Sequence, residues 1–141
     1  MCEKIRIREM KISDYTQVMG LWSESEGVGL SEADSLENIA LFLKRNNGLS
    51  FVAEQAGKIV GAILCGQDGR RGYLYHLSVN KEYRRQKIAS KLVGFCLAKL
   101  EEHGIQKCHI FVFPDNQEGI SFWDNYGFKR REDLFIFSTT I

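Results

Sequence analysis

No C-x-x-C pair joins Cys2, Cys65, Cys96 and Cys108, and His76, His103 and His109 stand at no familiar zinc spacing from them. A structural metal site is therefore not expected, and the thiols are expected to be reduced. The longest apolar runs fall far short of the roughly 20 residues that a membrane helix needs, and the opening MCEKIRIREM has no apolar core of the signal-peptide kind. The expectation is a cytoplasmic protein without metal or membrane contact. Excess charge is missing too, because 19 Lys and Arg against 18 Asp and Glu leave a net charge of +1, which argues against nucleic acid as the partner. Neither G-x-x-x-x-G-K-[ST] nor G-x-G-x-x-G occurs, so the two common glycine-rich phosphate loops are excluded.

What is present suits one folded domain. The 141 residues are 44% hydrophobic and 26% charged, enough for one sizeable core and too short for two ordinary domains. KIRIRE alternates as a half-buried strand, and Val18, Leu21 and Trp22 follow Ser13 at helical spacing. After a polar loop with Gly27 and Gly29, Ser35 is placed to cap a second helix carrying Leu36, Ile39, Ala40 and Leu43. SFVAE and IVGAILCG form a hairpin about Ala56-Gly57-Lys58, and QDGRRG turns into a third strand of that series, YLYHLSV. A long amphipathic helix runs from Ile88 to a stop at Gly104. KCHIFVF predicts a strand, NQEGISFWDNYG a short helix, and FKRREDLFIFSTTI a closing strand or hairpin. The order predicts an α/β (α+β) domain over residues 1–141, with a mixed central sheet of six to seven strands and helices on both faces.

The stretch NKEYRRQKIASKLVGF crowds Lys81, Arg84, Arg85, Lys87 and Lys91 around the start of that long helix. The first amides of a helix lack intrahelical partners and sit at the positive end of its dipole. Flanked by arginines, such an end suits a phosphate or pyrophosphate. A solvated basic face is the plainer alternative; the position between strand and helix favours the anion site.

LSVNKEYRRQKIASKL followed by FVFPDNQEGISFWDNYGF resembles the GNAT superfamily of acetyl-coenzyme A-dependent N-acetyltransferases, across nearly the whole chain. Arg84, Lys87 and Ala89 fall on the three defined positions of the family pattern Arg/Gln-x-x-Gly-x-Gly/Ala, with lysine in place of the first glycine. Asn116, Gly119, Phe122, Trp123, Gly127 and Phe128 fall on Asn-x-x-Ala-x-x-Phe-Tyr-x-x-x-Gly-Phe, with Gly119 and Trp123 as departures. Through GLW near the start and DGRRG before the central strand, the chain is similar to small bacterial members of the YpeA-like and ribosomal-protein alanine acetyltransferase-like type.

The resemblance implies acetyl-coenzyme A as co-substrate and direct attack by a primary amine, belonging to a small molecule, a peptide or a protein. It also implies a coenzyme site. Leu77 and Val79 would bond the pantetheine arm through their backbones, with the Val79 amide polarising the thioester carbonyl. Arg84, Arg85, Gln86, Lys87, Ile88, Ala89 and Ser90 would cradle the pyrophosphate, and Asn116 and Trp123 would flank the pantetheine. At Lys87 the backbone is expected to keep an ordinary helical or extended conformation. Trp123 stands where many relatives carry an acidic tyrosine and Phe111 where some carry a glutamate, so the proton-transfer groups are not those of the relatives. Tyr126 takes a neighbouring face of its helix.

Tyr75 and His76 remain as candidates for the base, expected on opposite faces of the strand. Imidazole has the better intrinsic pKa, roughly 6.5, and Tyr75 the better position. The acidic stretch Glu24, Glu26, Glu32 and Asp34 is expected to be solvated surface, with a cationic acceptor as the functional alternative. A coenzyme-binding domain without turnover is the alternative to an enzyme. Members of the family often dimerise, so the resemblance leaves a homodimer open beside a monomer.

Overall fold

The computed structural model describes residues 4–84 and 86–141; Cys2 and Arg85 lie outside the described residues. The chain divides into two compact units, Met1–Phe111 and Val112–Ile141.

The first unit holds strands β1 (Arg6–Glu9), β2 (Phe51–Gln55), β3 (Lys58–Gln67), β4 (Gly72–Val79) and β5 (Cys108–Ile110), and helices α1 (Tyr15–Ser23), α2 (Leu36–Arg45) and α3 (Ile88–Glu102). The sheet runs in chain order. Its first four strands are antiparallel neighbours and β5 joins β4 in parallel. The β2–β3 connection at Ala56 and Gly57 has φ of 51° and 81°, the left-handed pair that closes a two-residue hairpin with the right twist.

β3 is apolar almost throughout because both of its faces are covered. On one face Ala62 and Leu64 pack with Val18, Leu21 and Trp22 of α1 and Ile39 of α2. On the other, a methyl group at Gly61 would lie 3.1 Å from Ile88 and 3.2 Å from Leu92 of α3. Adjacent residues of a strand face opposite ways, so α1 and α2 form one outer layer and α3 the other. Ser35 caps α2 by accepting from the Asn38 amide, as its sequence position predicts. Ser13 does not cap α1: it lies inside a short 3₁₀ turn, Ile12–Asp14. There Asp14 accepts from the Lys11 amide and receives a two-pronged contact from Arg8 at 2.8 and 2.9 Å. Burial works against its ionisation, but those donors outweigh it and hold the carboxyl below its usual range.

The second unit holds α4 (Gln117–Tyr126). Gly127, at φ 118°, ends it, and the Phe128 amide bonds back to the Trp123 carbonyl at 2.9 Å. The closing strand expected over 128–141 is not formed, and Phe135 and Phe137 are about nine-tenths exposed. The sheet therefore has five strands rather than six to seven. KCHIFVF contributes only three residues to it, for a reason that lies in β4.

Candidate active site

β4 pairs with β5 only from Gly72 to Leu74. On its other side it follows β3 to the end, but Leu64 faces Tyr75 while Ala62 faces Ser78. Three steps along β4 thus match two along β3: one extra residue is accommodated in a bulge, and His76 sits there at φ 54°. A bulge bends its strand and sharpens the local twist, which carries β4 off the line of β5 and ends their ladder. From Tyr75 to Val79 the β5 side of β4 has no strand partner among the described residues.

That open edge carries a donor. The Asn80 amide bonds to the Val60 carbonyl at 2.8 Å, and hydrogen-bonded and non-bonded pairs alternate along an antiparallel ladder. Ser78 opposite Ala62 is then a bonded pair, while Val79 opposite Gly61 turns its N–H and C=O away from β3 into the gap. Beside this end of β4 lies a cleft of about 470 Å³ lined by Leu21, Glu24, Ser25, Val79, Asn80 and Glu82, among others. Two carboxylates, Glu24 and Glu82, and two cations, Lys81 and Arg84, border it.

The bulge also overturns the expectation that Tyr75 and His76 face opposite ways. Tyr75 packs edge-on against Phe42 of α2, with ring centroids 6.1 Å apart, and His76 edge-on against Trp22 of α1 at 5.0 Å. Both point into the same helical layer. Burial, followed by the nearby Tyr73, pushes the Tyr75 phenol above its ordinary range, which makes it a poorer proton acceptor at neutral pH. Tyr75 stacks on Tyr73 and Tyr73 on Phe111, so Phe111, where some relatives carry a glutamate, extends an aromatic row.

His76 has a partner that the sequence did not announce. Its Nε2 lies 2.8 Å from Oδ1 of Asp34, which is 5% exposed and not the solvated surface residue expected. The other carboxylate oxygen accepts the Ser31 amide at 3.1 Å, and the Asp34 carbonyl accepts the Tyr15 hydroxyl at 2.7 Å. S-E-A-D, with serine and aspartate three apart, is legible as a helix-start signal; that the aspartate has a second oxygen to offer β4 is not. Trp22 Nε1 and Ser78 Oγ are buried in this layer without a hydrogen-bond partner among the described residues.

At the start of α3 the amides of Ile88, Ala89 and Ser90 precede the first intrahelical bond, from Lys91 to Lys87. Arg84, Gln86 and Lys87 are exposed, Ala89 and Ser90 half-buried, and Ile88 is 2% exposed, so its side chain belongs to the core and only its backbone can serve a ligand. Lys87 does not keep the ordinary backbone expected of it: it stands in the left-handed region at φ 61°, ψ 23°, with no side-chain cap. The lysine has replaced the family glycine in composition while keeping the conformation that glycine favours. Open amides at a helix start and an outward-turned amide on a splayed strand fit a diphosphate and a thioester carbonyl. Lys87→Gly is accordingly expected to leave coenzyme A affinity within about tenfold, roughly 1.4 kcal/mol, by titration calorimetry. Stability in urea should stay level or rise by up to about 1 kcal/mol, since relief of left-handed strain is partly offset by glycine's chain entropy.

In the second unit, Asn116 is the N-cap of α4: its side-chain oxygen accepts the Gly119 amide at 3.0 Å. A methyl group at Gly119 would meet the Asn116 side chain as it is placed here. Trp123, 8% exposed, sits in an aromatic cluster with Phe122 at 4.9 Å and Phe128 at 4.8 Å. Tyr126 joins the cluster through the same two phenylalanines. Packing accounts for Trp123 without a proton-donor role, and no group of three or more potential metal ligands occurs among the described residues.

The model of the acetyltransferase (GNAT) family matches residues 15–128. A curated acetyltransferase of Sodalis glossinidius (strain morsitans) is 30% identical over 132 residues, covering 94% of this chain and 92% of its own. Among solved structures, the PaiA N-acetyltransferase of Thermoplasma acidophilum in complex with coenzyme A aligns with a TM-score of 0.78 at 24% identity, over 89% of this chain and 90% of that one. An aminoglycoside acetyltransferase from an uncultured soil metagenomic sample, in complex with sisomicin, aligns with a TM-score of 0.76 at 21% identity, over 97% and 96%.

Proposed function

The chain belongs to the GNAT acetyltransferase family, and from that premise we propose that it transfers the acetyl group of acetyl-coenzyme A to a primary amine by direct attack on the thioester. The observation that carries this reading is the open edge of β4, where the Val79 amide turns away from β3 beside a cleft bordered by charges of both signs. Acetyl-coenzyme A supplies the activated acyl group; the protein holds it and orients the amine.

In this reading the amides of Ile88, Ala89 and Ser90 take the pyrophosphate, with Arg84, Arg85, Gln86 and Lys87 around it. The Leu77 and Val79 backbones take the pantetheine arm, and the Val79 N–H meets the negative charge that builds on the carbonyl oxygen. Asn116 and Trp123 occupy motif positions of the family. His76 is the base; Tyr75, with its raised phenol, is the lesser candidate. Lys87 takes the left-handed conformation that glycine favours, which supports a working site over a decayed one. The family model spans parts of both compact units, in support of one N-acetyltransferase domain over residues 1–141. No described helix is long and apolar enough to cross a membrane, and Cys65, Cys96 and Cys108 are free thiols, in keeping with a cytoplasmic location.

Isothermal titration with acetyl-coenzyme A, followed by release of free thiol in the presence of primary amines, tests the proposal. The amines are polyamines, peptides with free amino termini, lysine peptides and aminoglycosides. Saturable binding and amine-dependent thiol release are expected. No binding at millimolar acetyl-coenzyme A would defeat the reading; binding with no amine-dependent release would reduce the protein to a coenzyme-binding module.

A further inference from the structure

We propose that Asp34 is the positioning residue of a carboxylate–imidazole pair, which fixes the tautomer of His76 and thereby makes Nδ1 the nitrogen that takes the proton from the acceptor amine. The inference rests on the acetyl-transfer reading and adds to it a residue from the loop between α1 and α2.

The argument begins with what each atom can do. A carboxylate only accepts hydrogen bonds, so the contact of 2.8 Å between Asp34 Oδ1 and His76 Nε2 places the ring proton on Nε2. In the neutral ring the lone pair is then on Nδ1, which has no hydrogen-bond partner among the described residues. Asp34 cannot easily turn away: Oδ2 is held by the Ser31 amide, its carbonyl by the Tyr15 hydroxyl, and the residue is 5% exposed. His76 is held by the same contact, by the edge of Trp22 at 5.0 Å and by the bulge that brings it into this layer at φ 54°. A non-glycine residue kept in the left-handed region inside a strand is strained, and strain of this kind collects at functional sites. Three constraints on one imidazole exceed what a packed histidine needs.

In the reaction, the amine nitrogen forms the C–N bond with its lone pair while the C–S bond breaks and sulfur keeps the electron pair. The nitrogen sheds one proton to Nδ1. The resulting imidazolium is stabilised by Asp34 through Nε2–H and returns the proton to solvent, from which the thiolate is protonated. The products are the amide and free coenzyme A.

Asp34→Asn distinguishes a positioning role from a structural one. The Ser31 amide requires an oxygen, so the asparagine keeps its oxygen there and turns its NH₂ toward Nε2. Nε2 must then accept, the ring proton moves to Nδ1, and the Nδ1 lone pair is lost while the fold and its hydrogen bonds persist. Long-range ¹H–¹⁵N spectra of histidine-labelled protein are expected to show His76 as the Nε2–H tautomer in the wild type and as Nδ1–H in Asp34→Asn. The turnover number with a working amine from the panel should fall by about 10²–10⁴-fold, the range for a lost acid–base group. Acetyl-coenzyme A affinity by calorimetry should change less than about threefold, within the tenfold that corresponds to 1.4 kcal/mol. His76→Gln should match that loss, and the double variant should lose no more, because residues acting as a unit are not additive. An Nδ1–H ring in the wild type would overturn the proposal, as would full turnover in His76→Gln or in an Asp34→Asn protein whose tautomer has switched. Because the spectra need no acceptor, failure of acetyl transfer with every amine would sink the enzymatic reading while the tautomer result still stood or fell by itself.

Discussion

Proline at Val79 is expected to lower the turnover number by about 10²–10³-fold, the cost of removing one preorganised donor from a developing oxyanion, while the protein stays folded and still binds coenzyme A. In a central strand proline usually deletes a ladder hydrogen bond. Here it should not, because the Asn80-to-Val60 bond sets an alternation in which the Val79 amide faces away from β3. On the other side β5 has already ended at Ile110. The position is therefore an internal edge, where loss of an N–H is separable from loss of the sheet. Circular dichroism and calorimetry with coenzyme A would establish that Val79→Pro is folded and loaded, and steady-state thiol release would measure turnover. Replacing the Val79 amide by an ester through semisynthesis removes the same hydrogen without the proline ring and should show the same fall. Unchanged turnover in the ester variant would remove Val79 from the mechanism.

Trp22→Ala should be the most damaging single change to stability, at about 3–5 kcal/mol for truncating a buried aromatic side chain, against the roughly 5–15 kcal/mol that holds a domain together. Trp22 is 1% exposed and packs in the cluster formed by Val18, Ile39, Val52, Ala62 and Leu64, where α1, α2 and the sheet meet. It also forms the wall against which His76 is held. Trp22→Phe separates these roles. It keeps most of the volume and removes an indole N–H that has no partner among the described residues, so its cost should be under about 2 kcal/mol, the lost packing being partly offset by the absence of an unsatisfied donor. Urea unfolding followed by far-ultraviolet circular dichroism gives both values. A Trp22→Ala midpoint within about 1 kcal/mol of wild type would mean that the layer collapses around the gap far better than its close packing allows.

Much of the fold was legible locally. Alternation in KIRIRE, the uninterrupted apolar run of β3, the Ala56-Gly57 turn, the serine before α2 and the helical spacing from Ile88 to Leu100 each express a period or a cap that neighbouring residues decide among themselves. The two family motifs were legible for the same reason: a run of amides at a helix start is a local object, and Arg84, Lys87 and Ala89 mark its place. The closing strand is not formed although LFIFSTTI has the composition of one, because composition expresses a preference and only pairing makes a strand. The left-handed Lys87 is not legible, because lysine alone does not disclose a backbone conformation that surroundings can impose.

The sequence by itself determined that this is a GNAT-type α/β protein, where its helices and most strands begin, and which loop leads into the open amides of α3; each of these depends on residues close together in the chain. Only the tertiary structure decided what the residues of β4 meet. Asp34 and His76 are 42 positions apart, and no local period connects them. One extra residue in β4, forced by its pairing with β3, turns His76 to the side of Tyr75, carries the strand away from β5 and leaves the Val79 amide facing the gap. A period-two alternation cannot foretell a bulge, because the mismatch exists only between two strands and never within one.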